Sequence, residues 1–132
     1  QLRFDKVGAD GSGKCHAFQT DDHNDLIYDV LFSIKSDEKA QLDQIEGVGQ
    51  GYKVKQVRLR AQNGQIIKAF TYYATQTNAR LKPYTWYLNH VIYGAIAAQL
   101  PAPYLKKLHA CIAIMDSNRH RDLLERSIYL ND

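Results

Sequence analysis

The sequence predicts an α+β fold, with an antiparallel sheet or small barrel in the first half and helices in the second. Three observations carry this. Up to Thr75 the apolar residues recur mostly at a period of two, the spacing of a half-buried strand. Asn63-Gly64 stands between two such runs and is a strong hairpin signal. From Tyr84 onward the period changes to that of a helix, with Tyr87, Leu88, Val91, Ile92, Ala95 and Ala98 on one stripe. Strands first and helices afterwards is the α+β pattern.

Taken in order, QLRFDKV (residues 1–7) reads as a short strand and KCHAFQT (14–20) as a second, with Asp10-Gly11 and Ser12-Gly13 as turn dipeptides between them. DDHND (21–25) is a polar loop. LIYDVLFSI (26–34) is rich in β-branched and aromatic residues and reads as a buried strand. Ser36 then fits a helix N-cap, with Asp37 and Glu38 in a first turn whose dipole favours acids. Ala40, Leu42 and Ile45 would supply its apolar contacts, and Gly47 would stop it. YKVKQVRLRA (52–61) and QIIKAFTYYAT (65–75) form the hairpin around Asn63-Gly64. Pro101 and Pro103 separate the first long helix from another carrying Tyr104, Leu105, Leu108 and Ile112. Ser117 would cap a last helix with Leu123, Leu124 and Ile128 inside. No repeat, linker or low-complexity tract divides the chain, so residues 1–132 read as a single domain.

The bulk numbers exclude several classes. No apolar run approaches the length of a membrane helix, so no membrane partner is expected. The net charge of +3 comes from Lys and Arg scattered along the chain without a basic block, which argues against nucleic acid. Trp86 and the tyrosines follow core spacing, not a stacking platform with interleaved basic residues. Cys15 and Cys111 form neither a CxxC pair nor a zinc spacing, so free thiols in a cytoplasmic protein are expected.

GADGSGKC (8–15) falls one residue short of a phosphate-binding loop, with Cys15 where the hydroxyl should be. Such a loop opens a helix whose N-terminus faces the phosphate. HAFQTDDHNDL is a poor helix start, and sulfur is a poor magnesium ligand. The glycines read instead as a hairpin turn. Asp21, Asp22, His23 and Asp25 lack a supporting ligand pattern and read as a solvated turn, so no metal is expected. His90 and His109 have no adjacent nucleophile, His120 reads as a solvated helix residue, and Cys15 as a buried strand thiol.

LDQIEGVGQGY (42–52) carries more chemistry. Glu46 falls at the predicted C-terminal end of a helix, where carbonyl dipoles disfavour a carboxylate, and partial burial would add to that. A carboxylate tuned upward can accept and return a proton near neutral pH. Gly47, Gly49 and Gly51 would let the backbone approach a ligand closely. A surface glutamate before a glycine cap is the plain structural alternative.

LDQIEGVGQGY, FTYYA (70–74), KPYTWYLNHVIYGA (82–95) and LPAPYLKKL (100–108) follow one another in an order that resembles the γ-glutamylcyclotransferase-like family, which includes the AIG2-like proteins. The likeness runs from about Leu2 to Leu108, with LIYDVLFSI resembling the strand before the acidic helix. It implies a small, mostly antiparallel barrel flanked by helices around a cavity. The implied reaction needs no cofactor: the α-amine of a γ-glutamyl group attacks its own γ-carbonyl, giving 5-oxoproline and a free amine. By this likeness Glu46 is the general acid/base. Tyr87 matches a tyrosine near the substrate, and Gly47 and Tyr52 would line the same site. Tyr104 reads as structural.

The sequence departs from the family at its start. A strand and a Tyr-Gly-Ser-Asn-like loop that hold the γ-glutamyl group and its oxyanion have no counterpart, roughly the first thirty residues for a strand–loop–helix unit. The barrel is therefore expected to lack a strand and expose an edge that a second copy could cover as a homodimer. The alternative to an enzyme acting on a small γ-glutamyl substrate is a non-catalytic binding or assembly module of the same fold.

Overall fold

The computed structural model describes residues 1–129, so the last three positions of the expected domain lie outside the described residues. Strands β1 (Leu2–Val7) and β2 (Gly13–Ala17) form one antiparallel pair, and β3 (Tyr52–Arg60) and β4 (Ile66–Ala74) form another. Helix α1 (Ser36–Glu46) lies between the two pairs in sequence, and α2 (Thr85–Ala97), α3 (Ala102–His109) and α4 (Arg119–Ser127) follow them. The α+β order is as expected.

The barrel is not. Among the described residues the strands form two separate two-stranded ladders. The chain after β4 runs along the second edge of β1, where Val7 N–H donates to Gln76 O at 3.0 Å and Asn78 N–H donates to Asp5 O at 2.7 Å. With β2 on its other side, the Asp5–Val7 end of β1 is bonded on both edges. The segment 26–34 is extended but belongs to no ladder, and it is not the buried strand its composition suggested. Leu26, Leu31 and Phe32 face solvent, and an edge contact between Tyr28 and Tyr104, with ring centres 5.1 Å apart, ties the segment to α3.

The core lies among the helices. Leu88, Ile92 and Ala95 of α2 pack with Leu108 of α3, and Leu2 and Phe4 of β1 close over them. The predicted stripe thus finds its partner. Trp86 is buried as well, its indole N–H donating to Asp116 at 2.9 Å, so it is a core residue and not a stacking platform.

Other helix details differ from expectation. The N-cap of α1 is Lys35, whose N–H donates to Glu38 Oε2 at 3.0 Å, and no residue of α1 is buried, Ile45 least of all. Helix α3 ends at His109, leaving Ile112 exposed. Asn118, not Ser117, caps α4 by accepting from Arg121 N–H. Leu123, Leu124 and Ile128 are exposed, because α4 docks through polar groups: Arg126 binds Asp122 and Thr85, and Glu125 meets His90. Apolar spacing marks a helical face, but here charge pairing decides which face turns inward.

Candidate functional site

The site is built on the turn that ends α1. Gly47 adopts a left-handed conformation with φ 73°, which costs any residue with a Cβ. Its N–H donates to Gln44 O at 3.1 Å and that of Val48 to Asp43 O at 2.9 Å, which stops the helix directly after Glu46. Gly51 O then accepts from Thr75 N–H at 2.9 Å, pinning the turn to the end of β4.

A polar network fastens α1 to the second hairpin. Tyr72 of β4 donates its hydroxyl to Asp43 at 2.6 Å, and Lys39 donates to both oxygens of the same carboxylate at 2.7 and 2.8 Å. The Lys39 ammonium also lies 4.6 Å from the Phe70 ring centre. These bonds, that from Lys39 foremost, hold the Asp43 carboxyl below its ordinary range. Desolvation, with the adjacent carboxylate, pushes the Tyr72 hydroxyl up to about 12. Asp43 precedes Glu46 by three residues on one helix face, so this network fixes where Glu46 stands.

Two tyrosines meet at the backbone of Cys15. The Cys15 N–H donates to the Tyr87 hydroxyl at 3.0 Å, and the Tyr52 hydroxyl donates to Cys15 O at 3.3 Å. Burial, then the negative charge of Glu46, pushes the Tyr52 hydroxyl up to about 12. Burial chiefly also raises Tyr87 well above its ordinary value. Both are neutral phenols at physiological pH. Tyr87 accepts at its oxygen from the Cys15 N–H, and its hydroxyl also hydrogen-bonds the Cys15 side chain, whose sulfur is a weak acceptor. Sulfur holds that hydrogen weakly, so an oxygen acceptor on a ligand could take it over.

The structure therefore brings Glu46, Gly47, Tyr52 and Tyr87 to one region. The partial burial expected of Glu46 is absent, however: its side chain is exposed, because α1 buries no residue. A depression of about 530 Å³ is lined by Met115, Asp116, Ser117, Arg119, Asp122 and Leu123, none of which was a candidate. Sequence reasoning took Cys15 only as a strand thiol; burial does raise its thiol pKa, but its backbone is the meeting point. Tyr72 and Asp43 were also missed as a pair. The tyrosine in FTYYA and the aspartate in LDQIEG were the available signals.

The GADGSGKC segment is the turn between β1 and β2, with no helix behind it. Asp10 accepts from Ser12 N–H at 3.0 Å, Ser12 Oγ at 2.8 Å and Lys14 Nζ at 2.7 Å. A Cβ at Gly13 would collide with the Phe4 carbonyl oxygen, so that glycine serves strand contact. His23 and its acidic neighbours are exposed, and among the described residues no cluster of three or more His, Cys, Asp or Glu side chains could hold a metal. His16 pairs with Asp5 at 2.8 Å, and His90 bridges Tyr129 and Glu125.

The model of the AIG2-like family matches residues 26–108. The chain belongs to that family. The match begins at Leu26, later than the Leu2 from which the resemblance was drawn. An uncharacterized protein from Homo sapiens has a similar structure, with a TM-score of 0.80 at 23% identity, covering 96% of this chain and 78% of that one. A gamma-glutamyl cyclotransferase superposes with a TM-score of 0.62, also at 23% identity, over 71% of this chain and 57% of the other. At such identity the likeness is one of fold, and it extends to β1 and β2 in the human protein. No curated protein sequence matches the chain. No helix of the described residues is long and apolar enough to cross a membrane.

Proposed function

We propose that this protein is a cyclotransferase-type enzyme that converts a γ-glutamyl amine or peptide to 5-oxoproline and a free amine, without a cofactor. The observation that carries the reading is the convergence of Tyr52 and Tyr87 on Cys15 beside the charge of Glu46. Membership of the AIG2-like family supports it.

In this reading Glu46 takes a proton from the substrate's α-ammonium. The freed amine forms a C–N bond to the γ-carbonyl carbon, and the carbonyl oxygen becomes an oxyanion. The Tyr87 hydroxyl is suited to donate to that oxygen, exchanging its weak bond to the Cys15 sulfur for a stronger one to an anion. The bond to the leaving amine then breaks as Glu46 returns a proton to its nitrogen. The lactam nitrogen keeps one of the ammonium's three hydrogens, and the other two end on the released amine. Nucleophile and electrophile are already tethered, so the protein's work is to fold the chain of the substrate and move protons.

Glu46→Gln removes the base while keeping the shape. It is expected to lower kcat by at least about a hundredfold, the lower range of general acid–base contributions. The check is 5-oxoproline release from a γ-glutamyl amino acid, and unchanged release would end the reading. The exposure of Glu46 favours one alternative, a binding or assembly module of the same fold. Saturable binding of γ-glutamyl compounds without turnover would select it.

A further inference from the structure

The geometry points to Lys6 as the residue that binds a carboxylate of the substrate at this site, an assignment that rests on the cyclotransferase reading. Lys6 and Lys14 are cross-strand partners in the β1–β2 pair. Like charges placed opposite one another repel. The hairpin resolves this by sending them to different places. Lys14 is taken by Asp10, 2.7 Å away, and its ammonium lies 4.5 Å from the Tyr87 ring centre. Lys6 goes the other way. The ladder slips between Arg3 and Lys6, an irregularity of the kind that re-aims a side chain. Its ammonium sits 4.6 Å from the Tyr52 ring centre. It is also against the glycine turn, where a Cβ on Gly51 would lie 3.7 Å from Nζ.

The half-buried Lys6 has no carboxylate partner among the described residues, and Nζ makes no hydrogen bond there. Asp5, its neighbour, is committed to His16, and Asp10 to Lys14. The ring face attracts the cation but accepts none of its three N–H donors in a full hydrogen bond. An ammonium held over Tyr52, whose hydroxyl reaches the same Cys15 backbone as Tyr87, is placed to receive an anion at the site. A γ-glutamyl substrate offers two: the α-carboxylate of the glutamyl group, and a carboxylate on the leaving portion when that is an amino acid or peptide.

The test measures KM and kcat of wild type, Lys6→Gln and Lys6→Arg on a γ-glutamyl amino acid and on a γ-glutamyl alkylamine. Lys68→Gln, on exposed β4 surface, is the control for lost positive charge. Lys6→Gln is expected to raise KM about tenfold or more, as loss of a charged hydrogen bond does, with Lys6→Arg recovering part and Lys68→Gln unchanged. A rise on both substrates assigns the glutamyl carboxylate, and a rise on the amino-acid conjugate alone assigns the leaving group. Equal KM for wild type and Lys6→Gln on both overturns the assignment, while the cyclotransferase reading survives. If wild type turns over neither substrate, that reading falls, and calorimetric titration with L-glutamate and 5-oxoproline decides Lys6 separately. Binding by wild type that Lys6→Gln loses keeps it; no binding, or equal binding, removes it.

Discussion

Helix α2 and the extended segment 26–34 carry comparably apolar sequences, and their fates differ. Leu88, Ile92 and Ala95 of α2 are 6, 9 and 6% exposed, whereas Leu26, Leu31 and Phe32 are 64, 50 and 77% exposed. The helix satisfies its backbone internally and needs only a side-chain face to cover, which α3 and β1 provide. An extended segment needs a strand edge as well, because its N–H and C=O groups must be paired from outside. Among the described residues 26–34 pairs with no strand edge, although the two ladders leave outer edges without a strand. Apolar content makes burial favourable, but the availability of a matching partner decides whether it happens.

That contrast predicts a gradient of mutational cost. Leu108→Ala, at the most buried core position, should destabilise by about 2–5 kcal/mol, read as a fall in the urea midpoint. A cost below about 1 kcal/mol would mean the helical half is no better packed than the extended segment. Next in size is the polar pin of α2. The Arg121 guanidinium, with smaller help from the Trp86 N–H, holds the Asp116 carboxyl far below its ordinary range. A depressed folded pKa gives stability that is present above the unfolded value and lost as pH falls toward the folded one. The urea midpoint should therefore fall as pH is lowered below about 4, the ordinary carboxylate value. Asp116→Asn should flatten that acid limb, and an unchanged limb would remove Asp116 from the account. Phe32→Ser should be the mildest, within about 0.5 kcal/mol of wild type. A loss comparable to Leu108→Ala would show the segment is covered in solution, and a concentration-dependent midpoint would make the cover a second copy.

The same contrast explains what the sequence disclosed. The hairpin at Asn63-Gly64, the stop at Gly47, and the stripe through Leu88 and Ile92 depend on neighbours in sequence, so local pattern was enough. Glu46 was singled out by its place at a helix end before glycines and given its role, like Tyr52 and Tyr87, by family resemblance, but the site's assembly depends on a hydrogen bond from the Cys15 N–H to the Tyr87 hydroxyl, 72 positions apart. No periodicity encodes such a bond. The sheets do not close into the expected barrel for a related reason: composition says that LIYDVLFSI can be a strand, but not whose edge it meets. Lys6 escaped notice because its place depends on a ladder slip and on where Asp10 sends Lys14.

Asp10 has a consequence for the phosphate-loop likeness at GADGSGKC. The turn carries its own anion. The Asp10 carboxylate already occupies the Ser12 amide, the Ser12 hydroxyl and the Lys14 ammonium, the kind of donors a phosphate would seek. Tethered to the same turn, it competes at an effective concentration set by the chain, which exceeds that of a dilute ligand in solution. A nucleotide would have to displace a resident inhibitor that never diffuses away.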